Sequence, residues 1–338
     1  MRKWFRRIVL GVLALVLVAI AGGLTFEQWS RWRASRDFPA PGQLVAFDGG
    51  RAHLTCQGTG TPTVILESGH GAGGSEDWVK VQPAIAEETR VCAYDRGGIM
   101  WSTPRGRPRD ATRIADELHA LLRAADEPGP YVMVGHSLGG AFVRVFAGRF
   151  PDAVVGLVFV DATPPGLMSR MPADMQAAMS ARPPELLVRL LAAIGVMRVM
   201  RFGDAGFPEM WPDSARAAIR AMLPLSVRGI LGERAAIDDA LAEAGAVTTL
   251  GNRPLVVLTA GKHRAPPSGV SDSSIALFEQ LWQGMQNELA TLSSNADHRT
   301  IASSDHYIQL DDPGAVIDAV SRVVRSVRGN IPLQDGAL

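Results

Sequence analysis

The chain has 338 residues, 47% hydrophobic and 20% charged, enough for one large or two modest globular domains and unlike an intrinsically disordered chain. Its 34 basic and 34 acidic residues cancel, so no overall field favours nucleic acid as a partner. Two distant cysteines and seven scattered histidines give no zinc-type spacing, no phosphate-cradling loop or dinucleotide fingerprint is present, and neither metal nor cofactor is expected.

Arg2, Lys3, Arg6 and Arg7 precede residues 8–26, nineteen residues without a charge. At 1.5 Å per residue this run is about long enough to cross a hydrocarbon core of ~30 Å. Ala19-Ile20-Ala21 resembles a signal-cleavage site, which gives the alternative of a protein secreted after cutting near Ala21. The run outlasts a usual signal core and continues past that site, so an uncleaved anchor is the reading taken. Four basic residues before the span against Arg31, Arg33 and Arg36 after it favour an N-terminus inside and the bulk of the chain outside the cytoplasm. Residues 27–42 read as a linker, with Trp29 and Trp32 suited to the membrane interface and Pro39 and Pro41 stiffening the exit.

Globular sequence begins near Gln43. Residues 43–47 and 52–56 flank Asp48-Gly49-Gly50 and predict a hairpin. A third strand over 63–67 feeds the loop Ser68-Gly69-His70-Gly71-Ala72-Gly73-Gly74, with helix from about Trp78. A fourth, 91–94, ends at Asp95-Arg96-Gly97-Gly98, and 112–124 places Ile114, Leu118, Leu121 and Leu122 on one helical face. Strands follow at 131–135, 154–160, 255–259 and, weakly, 298–302, with a last helix over 315–328. Short apolar strands alternating with amphipathic helices imply a mostly parallel sheet covered on both faces.

The fifth strand ends at Gly135-His136-Ser137-Leu138-Gly139-Gly140, the pattern of a nucleophile elbow. A strand that turns at once into a helix crowds its own backbone, so small residues must stand two positions either side of the serine. The helix starting behind Ser137 aims unpaired N–H groups at the place where an oxyanion would form.

With Glu67-Ser68-Gly69-His70-Gly71, Tyr94-Asp95-Arg96-Gly97-Gly98 and the late Asp305-His306-Tyr307, the elbow resembles the α/β-hydrolase fold superfamily, in its serine hydrolase branch, from about Gln43 onward. The resemblance implies an eight-stranded sheet in the order 1-2-4-3-5-6-7-8. It also implies a core over 43–163 and 251–330, a helical cap over 164–250 between strands six and seven, and a flexible tail over 331–338. It makes His306 the base, with His298 a rival inside a strand and His136 pointing away across the elbow to support packing. It puts the acid after the sixth strand, at Asp161, or after the seventh, where Asp272 is the first carboxylate. The oxyanion donors would be the N–H of Leu138 and of His70, with Ala72 the alternative to His70. In one departure from relatives, Met100 occupies a turn that often carries glycine, which should reshape a pocket wall.

Eight of the twelve methionines fall between 164 and 250, and Met168, Met171, Met175 and Met179 are spaced as one helical stripe, either core or a pliable apolar lid. Pro183-Pro184 and Pro208 would break the cap helices apart. Cys56 and Cys92 lie on strands that the resemblance makes neighbours, so a disulfide is expected outside the cytoplasm. The activity implied is hydrolysis of an ester of a small to medium hydrophobic substrate through an acyl-enzyme. A serine at the elbow argues against relatives with an aspartate nucleophile, such as epoxide hydrolases and haloalkane dehalogenases. Amide, lactone or carbon–carbon hydrolysis, cofactor-free perhydrolysis and a noncatalytic small-ligand sensor remain alternatives.

Overall fold

The structure is a computed structural model that describes residues 2–106, 108–180, 183–202, 209–262 and 269–333. Pro208, residues 263–267 after the seventh strand and most of the expected tail lie outside the described residues.

Strands β1 (Gln43–Phe47), β2 (Gly50–Gln57), β3 (Thr63–Glu67), β4 (Val91–Tyr94), β5 (Tyr131–His136), β6 (Val154–Val160), β7 (Leu255–Ala260) and β8 (Ala296–Ile301) form one sheet. Its order is β1-β2-β4-β3-β5-β6-β7-β8, antiparallel at β1–β2 and β2–β4 and parallel from β4 onward. The β1–β2 turn has Asp48 and Gly49 at φ 43° and 73°, the positive pair that a two-residue type I′ hairpin needs. Cys56 and Cys92 stand opposite each other in the β2–β4 register and are disulfide-bonded.

The central strands β3, β5 and β7 are buried at every position because alternate side chains serve two cores. Met133, Leu157, Phe159 and Val257 pack toward α3 (Ala111–Ala124) and α4 (Leu138–Arg149), once α1 (Arg2–Asp37) and the short α2 (Gln82–Ala86) have been passed along the chain. Val132, Val134, Val158, Val160, Val256 and Leu258 face the opposite layer. There the last helix, α13 in chain order (Pro313–Gly329), supplies Val316, Val320, Val323 and Val324.

Among the described residues, six helices run between β6 and β7: α5 (Leu167–Arg170), α6 (Ala173–Ser180), α7 (Glu185–Ala193), α8 (Val196–Val199), α9 (Asp213–Arg234) and α10 (Ile237–Ala246). The methionine stripe is not one helix. Pro172 forces Met171 into an extended conformation, φ −65° and ψ 141°, and splits α5 from α6. Met171 and Met175 pack on Phe278, Trp282 and Met285 of α11 (Asp272–Ala290), while Met179 is exposed.

Three expectations need correction. No helix starts at Trp78; a 3₁₀ turn, Gly74–Trp78, ends there instead, and α2 follows. The stretch 27–42 is not a free linker: α1 continues unbroken to Asp37, since neither proline nor glycine occurs between Gly23 and Pro39. Beyond it, the carbonyl of Phe38 accepts from Trp101 Nε1 at 2.9 Å and Gly42 N–H donates to His53 Nε2 at 3.1 Å, so the exit is pinned to the domain. The tail is likewise held where it begins, as Leu333 N–H donates to Asn295 Oδ1 at 2.8 Å.

Candidate active site

The parallel strands deliver their C-terminal ends to one edge, and the candidate residues sit there. Ser137, between β5 and α4, has φ 52° and ψ −126°, a conformation few side chains adopt. The corner is as crowded as the sequence implies. A Cβ on Gly135 would lie 2.6 Å from the carbonyl oxygen of Gly139, and one on Gly139 would lie 2.6 Å from that of Glu67. Ser137 N–H bonds Val160 O at 3.1 Å and its carbonyl accepts from Thr163 N–H at 2.8 Å, which holds the turn against relaxing.

Asp161, at the end of the neighbouring β6, has φ 43° and no exposed surface. His306 lies between β8 and α12 (Ile308–Asp311) and joins the two: its Nε2 is 2.9 Å from Ser137 Oγ and its Nδ1 is 2.6 Å from Asp161 Oδ2. The other oxygen of Asp161 accepts from Ala260 N–H at 3.0 Å and from Trp282 Nε1–H at 2.8 Å. Nδ1 bound to a carboxylate carries the proton, which leaves the Nε2 lone pair aimed at the serine hydroxyl. Asp272 is not part of this chain of bonds. It is an exposed residue in the first turn of α11, where a carboxylate suits the helix dipole. His298 lies on β8 and bonds Thr259 Oγ1 and Asn287 Oδ1, both at 2.7 Å.

His136 does not point away. Its Nε2–H donates to the carbonyl of His306 at 2.9 Å, and the two rings are 4.8 Å apart. Burial first, then the neighbouring His306, pulls its pKa down to about 3, so it stays neutral and remains a donor at working pH.

Leu138 is the first residue of α4, so its N–H has no carbonyl one turn back to bond. The loop after β3 runs against the elbow: a Cβ on Gly69 would lie 2.9 Å from Ser137 Cβ. His70, next in that loop, donates from Nε2 to the carbonyl of Ile230 on α9 at 3.0 Å. Ala72 packs with Ile99, Met100 and Trp211 under α9. Met100 takes φ 45° in the turn where glycine was expected, and its N–H donates to Ser226 Oγ of α9 at 2.9 Å. The glycine is thus replaced by a residue whose strained backbone is anchored from the helix above.

A profile described as the alpha/beta hydrolase fold matches residues 62–191. The solved structure of the epoxide hydrolase CorEH superposes on 84% of this chain and 98% of its own, with a TM-score of 0.63 and 20% identity. The chain has the α/β-hydrolase fold. A thermophilic esterase from Thermogutta terrifontis shares it, with a TM-score of 0.57 and 20% identity over 84% of this chain and 97% of that one. YqjL of Bacillus subtilis, itself uncharacterized, is 26% identical over 262 residues, 77% of this chain and 82% of YqjL. An uncharacterized protein of Schizosaccharomyces pombe is 35% identical over 152 residues, 36% of this chain, and the match spans only 28% of that protein's length.

Two features of the site escaped sequence reasoning. Trp282 carried no motif, and only the pairing of β6, β7 and α11 brings its indole to Asp161. Asp77 is the second. It is buried beside Trp211, whose Nε1–H reaches its Oδ1 at 3.3 Å, and Trp211 in turn stacks edge-on against Tyr307 at 4.8 Å. Burial pushes the Asp77 carboxyl up to about 7, although the Trp211 bond works the other way. A raised carboxyl pKa means the folded state keeps a proton that the unfolded chain has released. Its contribution to stability is therefore complete below about pH 4 and is lost as the pH rises through about 7. Asp77→Asn should leave the unfolding midpoint nearly unchanged at pH 4 and raise stability at pH 8 by up to about 4 kcal/mol. Urea unfolding at the two pH values checks this.

Among the described residues, the one compact set of potential metal donors is Cys56, Cys92 and Glu127, and the disulfide removes both sulfurs as thiolate ligands.

Proposed function

We propose that the protein is a membrane-anchored serine hydrolase that cleaves carboxylic esters of small to medium hydrophobic substrates. The observation that carries this reading is the unbroken path Ser137 Oγ–His306 Nε2 and His306 Nδ1–Asp161 Oδ2, at 2.9 and 2.6 Å. His306 Nε2 takes the hydroxyl proton as Oγ attacks the ester carbonyl, and Asp161 stabilises the imidazolium that forms. The N–H groups of Leu138 and His70 receive the oxyanion. Collapse breaks the C–O bond, and His306 returns its proton to the departing alcohol. A water deprotonated by His306 then attacks the acyl-enzyme and releases the acid. His136 supports this cycle by holding the backbone of His306 without competing for its proton.

α1, apolar and exposed along its span, serves as the anchor in this reading. The Cys56–Cys92 disulfide fits a domain outside the cytoplasm. The test is reaction of the full chain with a fluorophosphonate probe alongside p-nitrophenyl ester turnover. Labelling confined to Ser137 together with ester hydrolysis supports the reading; no labelling and no hydrolysis of any acyl length would sink it.

Trp282→Phe keeps the ring and removes one donor to Asp161. We expect kcat to fall about tenfold, matching the ~1.5 kcal/mol of a single charge-assisted hydrogen bond, with KM unchanged. Steady-state kinetics on p-nitrophenyl butyrate checks this.

A further inference from the structure

Helix α1 does not stop being structural where its apolar run ends. Its stripe Gly23, Glu27, Ser30 and Ala34, spaced four, three and four, is the face that meets the domain. A Cβ on Gly23 would lie 2.5 Å from the carbonyl oxygen of Ile194, at the end of α7. One on Gly195 would lie 2.8 Å from Phe26. Glu27, 1% exposed, accepts from Arg198 of α8 at 2.7 Å and from Arg31 at 2.9 Å, and Arg198 also bonds the carbonyl of Ala221 on α9. The turn between α7 and α8 is therefore fixed at the level of residues 23–27, the end of the span.

The outer face of that helix pair is apolar and bare. Leu186, Leu187 and Leu190 of α7 are 69%, 46% and 52% exposed, and Val199, Met200 and Phe202 at the end of α8 are 69%, 65% and 51% exposed. On α1, Trp29 and Trp32 are also exposed, with Arg33 and Arg36 over their rings. A patch of this kind is unfavourable in water, and aromatic–basic pairs suit the headgroup level.

We propose that the α7–α8 face seats in the interface of the bilayer that α1 enters, so that this hydrolase draws acyl esters dissolved in the lipid phase. The substrate class rests on the proposed esterase reading; the seating rests on α1 as an anchor. Among the described residues, α9 lies between this face and the site. Val227 and Leu231 pack under Val188, Ala192 and Met197, while Ile219 and Met222 join Met100 and Tyr307 on the inner side.

Seating is tested without reference to catalysis. Both native cysteines are in the disulfide, so single Leu190→Cys, Val199→Cys and Ile331→Cys variants of the full chain can each carry one fluorophore. Ile331 lies at the opposite end of the sheet, beside the start of β6, and serves as the control. In phosphatidylcholine vesicles, doxyl-labelled lipid should quench the labels at 190 and 199 at least threefold more than that at 331, and aqueous iodide should do the reverse. If all three respond alike, the seating is overturned, whatever the enzyme does to esters.

The substrate class has its own readout. Leu186→Glu with Leu190→Glu should cut hydrolysis of p-nitrophenyl palmitate held in those vesicles at least tenfold and leave p-nitrophenyl butyrate in water within twofold. Equal losses on both esters, or on neither, would refute delivery from the lipid phase. A wild-type chain inert to both would refute the esterase reading while leaving the quenching result standing.

Discussion

Ser137→Ala and His306→Ala should each lower kcat for p-nitrophenyl butyrate by about 10⁴–10⁶, with the fold retained. The reason is the geometry of one proton. Nε2 of His306 and Oγ of Ser137 are 2.9 Å apart, and removing either leaves a hydroxyl without a base or a base without a nucleophile. The two changes act on one unit, so the double variant should be no worse than either single one. Asp161→Asn should cost about 10⁴. Its amide would present an N–H or an oxygen to Nδ1, and the oriented, Nδ1-protonated imidazole would no longer be assured. Asp272→Asn is the control: it sits exposed at the start of α11 and should leave kcat within twofold. Activity surviving Asp161→Asn but lost in Asp272→Asn would reverse the assignment of the acid.

The contrast between those two aspartates shows how far the sequence reaches. The elbow was legible because a strand–helix corner restricts its residue types, and Gly135 and Gly139 have no room for a Cβ. The sheet was legible because strands buried on both faces are mostly apolar, as over 132–134 and 255–258. Asp161 could be named as a candidate from its place after the sixth strand, but choosing it over Asp272 needs the fold that carries His306 to it across 145 positions. The partners that surround the site were not legible at all. Trp282 reaches Asp161 from 121 positions away, and His136 reaches the carbonyl of His306 from 170. Nothing local distinguishes either from core tryptophan or histidine. The linker reading failed for a related reason. Residues 27–37 are rich in charged side chains, with Trp29 and Trp32 suited to an interface, yet Glu27, Ser30 and Ala34 are buried and Glu27 is bonded by Arg198, 171 positions downstream.

Arg96→Met should destabilise the fold by about 3–5 kcal/mol and lower activity beyond what lost stability explains. Arg96, 3% exposed, gives Nε and Nη2 to the two oxygens of Glu233 on α9 at 2.7 and 2.8 Å. Nη1 goes to Glu67 Oε1 at 2.5 Å and to the carbonyl of Ser68 at 2.7 Å, and Nη2 also reaches the carbonyl of Gly69 at 2.8 Å. The fork on Glu233 outweighs the cost of burial and holds that carboxyl below its ordinary pKa, whereas burial dominates at Glu67 and pushes its pKa up. Removing the guanidinium strands Glu233 as an unpaired buried charge, which is where most of the loss arises. Lysine cannot reproduce the planar fork, so Arg96→Lys should recover only part of it. Replacing the group as a whole, Glu67→Gln, Arg96→Met and Glu233→Leu together, removes the stranded charge and should return most of the stability. Activity should not return with it. The carbonyls of Ser68 and Gly69 lead directly into the His70 N–H, the oxyanion donor proposed above, and without Arg96 the loop that carries it loses two of its anchors. Urea unfolding and kcat measured on the same three proteins separate the two roles: if activity recovers in step with stability, Arg96 is a structural ion pair and has no part in positioning the oxyanion loop.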